Sequence, residues 1–260
     1  MKCDFFSLSD RGLVRPNNED AVAVDAALGL AVLADGMGGY NAGEVASALS
    51  IEHVLQTLRP ELSSGTLHAS RHIRRWLQEG MTAANRAVFQ AAQGNDAWRG
   101  MGTTLVVAVF QGQKLVVGHI GDSRVYRFRQ GQLVLLTRDH SLLQEQIDAG
   151  LIAPEMARAV QYKNLVTRAI GVAPVVAADI AEHVIEPGDT YLICSDGLND
   201  MLTDSHMAQV LRREKSLATA GEVLLREANS AGGRDNISLV LVQCSPDPAT
   251  PGLLSRLMTL

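Results

Sequence analysis

Five acidic positions in this chain sit where short apolar runs begin or end. Leu30 to Ala34 runs into Asp35-Gly36, Lys114 to Gly121 into Asp122, and Thr190 to Ser195 into Asp196-Gly197. Asp235-Asn236 opens the last apolar run, and Glu19-Asp20 opens an early one. Neighbouring strands can gather such ends within a few ångströms. Carboxylates crowded into a small volume repel one another and resist desolvation. A divalent cation removes that conflict. Oxygen donors without flanking Cys or His pairs suit Mg²⁺ or Mn²⁺ and argue against Zn²⁺ or copper. Glycine after Asp35 and after Asp196 leaves room for a backbone carbonyl or a water to approach. Any one Asp-Gly pair reads equally well as a turn. Five such positions together favour the cation.

A cation of this kind can share its site with phosphate. Arg15 stands five residues before Asp20, and a planar guanidinium suits two-pronged contact with phosphate oxygens.

The elements that must position these groups are short strands and two helical blocks. Phe5 to Ser9, Ala21 to Asp25 and Leu30 to Ala34 read as early strands. Ala48, Ile51, Leu55 and Leu58 recur at helical spacing within 42–58, and Pro60 with Ser63-Ser64-Gly65 should close that helix. Ile73, Leu77, Met81, Ala84, Val88 and Ala91 mark a second, longer helix. Strand character returns at Leu105 to Phe110 and Lys114 to Ile120, joined across Gln111-Gly112-Gln113. It continues at Val125 to Phe128 and Leu133 to Leu136, joined across Gln130-Gly131. Residues 141–164 are polar and weakly helical, an insertion over a rim. Val175 to Ile185 and Thr190 to Ser195 resume strand, 205–213 and 218–229 are helical, and Ile237 to Gln243 is the final strand. Hairpin strands with paired helices predict a sheet-on-sheet core with helical outer layers.

Composition bounds the rest. The chain has 260 residues, 47% hydrophobic and 20% charged, with a formal net charge of −5. That balance fits a soluble globular protein and gives no reason to expect a nucleic-acid partner. No run reaches the roughly 20 apolar residues of a membrane helix, and Met1 to Asp10 lacks signal-peptide character. Cys3, Cys194 and Cys244 are scattered without metal-binding spacing. A cytoplasmic monomer is the expectation.

Eight segments then carry a resemblance. They are Ser9-Asp10-Arg11-Gly12-Leu13-Val14-Arg15-Pro16-Asn17-Asn18-Glu19-Asp20, Ala34-Asp35-Gly36-Met37-Gly38-Gly39, Gly102-Thr103-Thr104 and Gly121-Asp122-Ser123-Arg124. After them come Thr137-Arg138-Asp139-His140-Ser141, Leu165 to Gly171, Ser195-Asp196-Gly197-Leu198 and Arg234-Asp235-Asn236-Ile237. In this order, spanning nearly the whole chain, they resemble the bacterial type of the PPM/PP2C family of metal-dependent protein serine/threonine phosphatases.

The resemblance implies an α+β, four-layer α/β/β/α fold with a central antiparallel β-sandwich. It implies a phosphatase domain over 1–245, with a flap at 142–164 and a short tail at 246–260. Asp35 matches the residue that bridges two Mn²⁺ or Mg²⁺ ions, and the Gly36 carbonyl would bind the second. Asp196 and Asp235 match ligands of the first ion, while Glu19 and Asp20 match carboxylates that hold metal-bound waters. Asp122, shared with Asp196, matches a ligand of a third, weaker ion. Arg15 matches the phosphate-binding arginine. Two such ions would make a bridging water nucleophilic near neutral pH. Many relatives carry His where this chain has Met37, which cannot donate a proton; His119 and His140 are the nearest histidines by motif, and a packing role suits both.

The implied partners are phosphoproteins made by a Hanks-type kinase. A catalytically silent, partner-binding domain would show broken ligand positions, and none is broken here. A phosphatase acting on an anti-sigma-factor antagonist would carry added sensor domains.

Overall fold

The computed structural model describes all residues except 39–41, 64–66, 154–155, 157–164 and 247–260. The expected tail, beyond Pro246, and most of the expected flap after α3 lie outside the described residues.

Strand β1 (Lys2–Asp10) pairs with β11 (Ile237–Ser245), which pairs with β10 (Thr190–Cys194), then β7 (Arg124–Arg129) and β8 (Gln132–Leu135). The second sheet runs β2 (Asp20–Asp25), β3 (Leu30–Met37), β5 (Leu105–Gln111), β6 (Lys114–Ile120) and β9 (Asp179–Val184), with β4 (Gly102–Thr103) on the end of β3. Every pairing is antiparallel.

Alternation of side chains divides the core into three layers. Ala31, Leu33, Val106 and Ala108 meet Val125, Tyr191, Ile193 and Val240 between the sheets. The other face of the second sheet packs on α1 (Ala42–Leu62) and α2 (Ser70–Gly94) through Val32, Val107, Val54, Leu77 and Met81. The other face of the first sheet packs on α5 (Asp204–Arg213) and α6 (Leu217–Ser230) through Leu192, Leu239, Met207 and Leu224. These are the four layers expected from the sequence. Two short helices, α3 (Leu142–Asp148) and α4 (Asp196–Asn199), complete the set. Among the described residues no helix is long and apolar enough to cross a membrane.

Both predicted hairpins form around two-residue loops, Gly112-Gln113 and Gln130-Gly131. Gln130 (φ 51°) and Gly131 (φ 79°) are both left-handed, as the tightest turn between twisted strands requires.

Three local expectations need correction. Helix α1 continues through Pro60 to Leu62, where Leu62 is buried against the core and holds the last turn in place. Strand character before Asp179 fails because the Asn85 side chain ties the carbonyls of Ala173 and Pro174 into a loop. The cysteines are not all apart: the β1–β11 register sets Cys3 directly opposite Cys244.

Candidate active site

Both sheets end their carboxylate-bearing strands at the same edge of the sandwich. A cleft of about 200 Å³ there is lined by Arg15, Glu19, Asp35, Gly36, Met37, Gly38, Thr104, Asp122, Val166, Asp196 and Asp235. Asp35 comes from the end of β3, Asp122 from the turn after β6, Asp196 from the first turn of α4 after β10, and Asp235 from just before β11. Every acid singled out from the sequence lines this cleft except Asp20. That residue lies behind the wall, opposite Asp35 in the β2–β3 register.

Hydrogen bonds fix the backbone of each contributor. The Asp35 N–H donates to Thr104 Oγ1 (3.0 Å), and the Asp35 carbonyl accepts from Thr104 N–H (2.8 Å) and Thr103 Oγ1 (2.8 Å). Asn236 binds the Arg15 loop to the site: its Nδ2 donates to the carbonyls of Arg11 (2.9 Å) and Asn17 (2.8 Å), and its Oδ1 accepts from Glu19 N–H (2.8 Å). Ser195 Oγ donates to Asp20 Oδ2 (2.8 Å) and accepts from Ser238 N–H (2.9 Å).

Close backbone approach explains two glycines. A Cβ on Gly36 would stand 2.2 Å from the Gly43 carbonyl oxygen, and one on Gly43 would stand 2.7 Å from the Glu19 carboxylate carbon. Neither position accepts a side chain without displacing its neighbour. The motifs containing Thr103-Thr104 and Ser195 were legible in sequence, whereas Gly43 and the bridging role of Asn236 had no local signal.

The electrostatics of the cleft are unbalanced. Five carboxylates line it against one guanidinium, Arg15, whose Nη2 lies 2.6 Å from Asp235 Oδ2. Burial pushes Asp35 well above the ordinary carboxylate range, and repulsion from Asp20, Asp196, Asp122 and Asp235 pushes it further. Asp196 is raised in the same way, by burial first and then by Asp122, Asp200 and Asp235. Burial raises Asp20 to about 6, against hydrogen bonds from Ser238 and Ser195. It also raises Asp122 to about 7, with Asp139 adding repulsion. Glu19 is raised by burial despite the nearby Arg15 charge. The Arg15 guanidinium is held up by its bond to Asp235.

Asp20 Oδ1 is buried with no hydrogen-bond donor. An all-oxygen donor set, one orphaned carboxylate oxygen and a single opposing guanidinium fit hard divalent cations. These residues have the chemistry to hold them.

A second cluster able to hold a cation lies behind Asp122. His119, His140 and Asp179 offer ligand atoms within 4.8 Å of one another. Its present bonding is already extensive. The rings stack at 4.6 Å, and His119 Nε2 donates to the Arg138 carbonyl (2.9 Å). His140 Nδ1 accepts from Gly121 N–H (3.1 Å), which leaves the proton on Nε2, 3.2 Å from Asp179 Oδ2. Burial holds His140 below the usual histidine range. The Arg168 guanidinium sits 3.3 Å from both His140 Nε2 and Asp179 Oδ1. Neither histidine is among the residues that line the acidic cleft.

Comparison with known proteins agrees with this architecture. The sequence profile of the family described as Protein phosphatase 2C matches residues 14–230. The chain is 36% identical over 245 residues to Protein phosphatase PhpP of Streptococcus pneumoniae, covering 93% of this chain and 98% of that one. The structure of the Mycobacterium tuberculosis serine/threonine phosphatase PstP/Ppp superposes with a TM-score of 0.85 at 36% identity, covering 94% and 99% of the two chains. The catalytic domain of serine threonine protein phosphatase PstP in complex with two manganese ions superposes at 0.82, also at 36% identity and with the same coverage. With the acidic cleft at the sandwich edge and a profile match over most of its length, the chain belongs to the protein phosphatase 2C family of metal-dependent serine/threonine phosphatases.

Proposed function

We propose that residues 1–245 form one phosphatase domain whose cleft binds two Mn²⁺ or Mg²⁺ ions. The ligands would be Asp35, Asp196, Asp235 and the Gly36 carbonyl, with Glu19 and Asp20 holding bound waters. Asp122 with Asp196 would take a third, weaker ion. Its substrates are phosphoserine and phosphothreonine proteins made by a Hanks-type kinase, met by a cytoplasmic monomer. The observation that carries this reading is the charge imbalance: five carboxylates facing one guanidinium in one cleft.

Bound there, the ions would supply a water reactive near neutral pH and offset charge on the phosphoryl group. The chain's own groups do the positioning. Arg15 presents a planar, permanently charged fork at the rim, steadied by Asp235, and suited to two phosphoryl oxygens. Thr103 and Thr104 hold the Asp35 backbone, and Ser123 steadies Thr104 through a 2.7 Å contact. Met37 and Val166 give the wall apolar stretches that limit water access.

The test is phosphate release from a phosphothreonine peptide by chelator-stripped protein. Mn²⁺ should restore turnover, and Asp35→Asn and Asp196→Asn should nearly abolish it. Purified protein with no metal-dependent turnover would remove the proposal.

A further inference from the structure

Cys3 and Cys244 come from opposite ends of the sequence and face each other directly across the β1–β11 ladder. Cys244 turns both backbone polar groups away from β1: its N–H donates to the Asp189 carbonyl (2.9 Å), and its carbonyl accepts from Gly188 N–H (2.8 Å). The two polar groups of a strand residue point the same way, so Cys3 and Cys244 form a non-hydrogen-bonded pair. Such pairs bring Cα atoms to about 4.5 Å, with side chains close. A disulfide spans roughly 4.4–6.8 Å between Cα atoms. Both residues belong to the layer between the sheets, and both are free thiols.

Their surroundings give them different roles. Cys3 is half-buried and lines, with Phe5, Ala26, Leu67 and Gly112, a groove of about 550 Å³ at the far end of the sandwich. The Cys244 thiol beside it holds the Cys3 thiol below its ordinary range against the effect of burial. Cys244 is fully buried, and its Cys3 neighbour together with burial pushes its thiol up. Cys3 is therefore the accessible nucleophile and Cys244 the protected neighbour. Cys194 lies in a different core layer, beneath α4 and α5.

We propose that Cys3 is an oxidant-reactive modification site and Cys244 its resolving thiol, so that a hydroperoxide closes a disulfide between β1 and β11. The Cys3 thiolate attacks the peroxide oxygen, the O–O bond breaks, and a sulfenic acid forms with release of hydroxide. The Cys244 sulfur then displaces the hydroxyl from Cys3, and its proton leaves with that hydroxyl as water. Two thiols lose two electrons, and hydrogen peroxide is reduced to two waters.

The bond pins β1, an edge strand of its sheet, to β11. The acidic cleft lies at the other end of β11, roughly 25 Å away at about 3.3 Å per residue. Oxidation accordingly hardens the fold and leaves the cleft intact.

The experiment treats reduced, Mg²⁺-loaded protein with hydrogen peroxide, quenches with catalase, and counts thiols after unfolding. Titratable thiols should fall from three to one, and the intact mass should fall by two hydrogens. Dithiothreitol should reverse both changes. The melting temperature should rise by roughly 5 °C or more, with phosphate release within about twofold of the reduced enzyme. Cys244→Ser should leave a Cys3 sulfenic acid that dimedone traps, Cys3→Ser should keep both remaining thiols reduced, and Cys194→Ala should still close the bond. Three surviving thiols, a disulfide between two chains, or a gain of oxygen without loss of hydrogen would each overturn the proposal. An unchanged melting temperature with the bond closed would overturn the pinning of β1.

Discussion

Strand β10 has an aspartate at each end, and the two are treated in opposite ways. Asp189, before the strand, is fully buried, yet its carboxylate is satisfied. Arg129 donates through Nε (2.6 Å) and Nη2 (2.7 Å), Glu186 through its backbone N–H (2.8 Å), and Tyr191 through its hydroxyl (3.0 Å). Burial pushes Asp189 up, but these bonds together outweigh it and hold the group below the ordinary carboxylate range. Asp196, after the strand, is pushed well above that range by burial and by neighbouring carboxylates. One end is an internally completed ion pair. The other belongs to a cleft in which five carboxylates face one guanidinium. The contrast separates an aspartate whose bonds complete the fold from one that, on the proposed reading, holds a metal ion.

The largest effect that could break this contrast is on catalysis. Asp196→Asn should lower phosphate release at least a hundredfold, since the metal contributes several kcal/mol to the barrier and each 1.36 kcal/mol is about tenfold. The same substitution should raise the melting temperature of metal-free protein, because it removes a repelled buried charge. Asp189→Asn should do the reverse. It leaves Arg129 partly unpaired and should cost roughly 2–4 kcal/mol of stability, while the folded fraction keeps its turnover. Equal effects of the two substitutions on stability would erase the distinction.

The pH dependence sharpens it. Asp20 and Asp122 have folded values of about 6 and about 7, above the roughly 3.9 of an unfolded aspartate. Between about pH 4 and 7 the native metal-free protein therefore holds more protons than the unfolded chain, so this end loses stability as pH rises through that window. Saturating Mn²⁺ should flatten the loss by replacing the protons. Asp189 has the opposite sign. Its folded value is depressed, so its stabilisation is complete above the unfolded value and is lost as pH falls through the folded one. Melting temperatures against pH, with and without Mn²⁺, and with Asp189→Asn as reference, check both arms.

Smaller effects test the supporting residues. Asp122→Asn should reduce turnover about tenfold through the third ion; an undiminished rate at low Mn²⁺ would remove Asp122 from that role. Asn236→Ala should loosen Arg15 and raise KM for phosphopeptide more than it lowers kcat.

The layers and the acids were legible because short continuous apolar runs end directly on Asp35, Asp122 and Asp196, and strand ends on one edge of a sandwich can converge. Features that depend on long-range register were not. Nothing near Cys3 in the sequence points to Cys244, and nothing near Gly43 points to the Glu19 carboxylate it packs against. Asn236 reads locally as a strand-opening residue, and only the fold makes it the bridge between Arg11, Asn17 and Glu19. Asp189 carries no signal of its own, because a Gly-Asp pair before a strand reads locally as a plain turn. Its four donors come from Arg129, Glu186 and Tyr191.

Anomalous diffraction from crystals soaked in Mn²⁺ addresses the acidic cluster most directly. Two strong peaks among Asp35, Asp196 and Asp235, absent in Asp196→Asn crystals, are the expected result. Manganese at His119, His140 and Asp179 with the acidic cleft empty would contradict it.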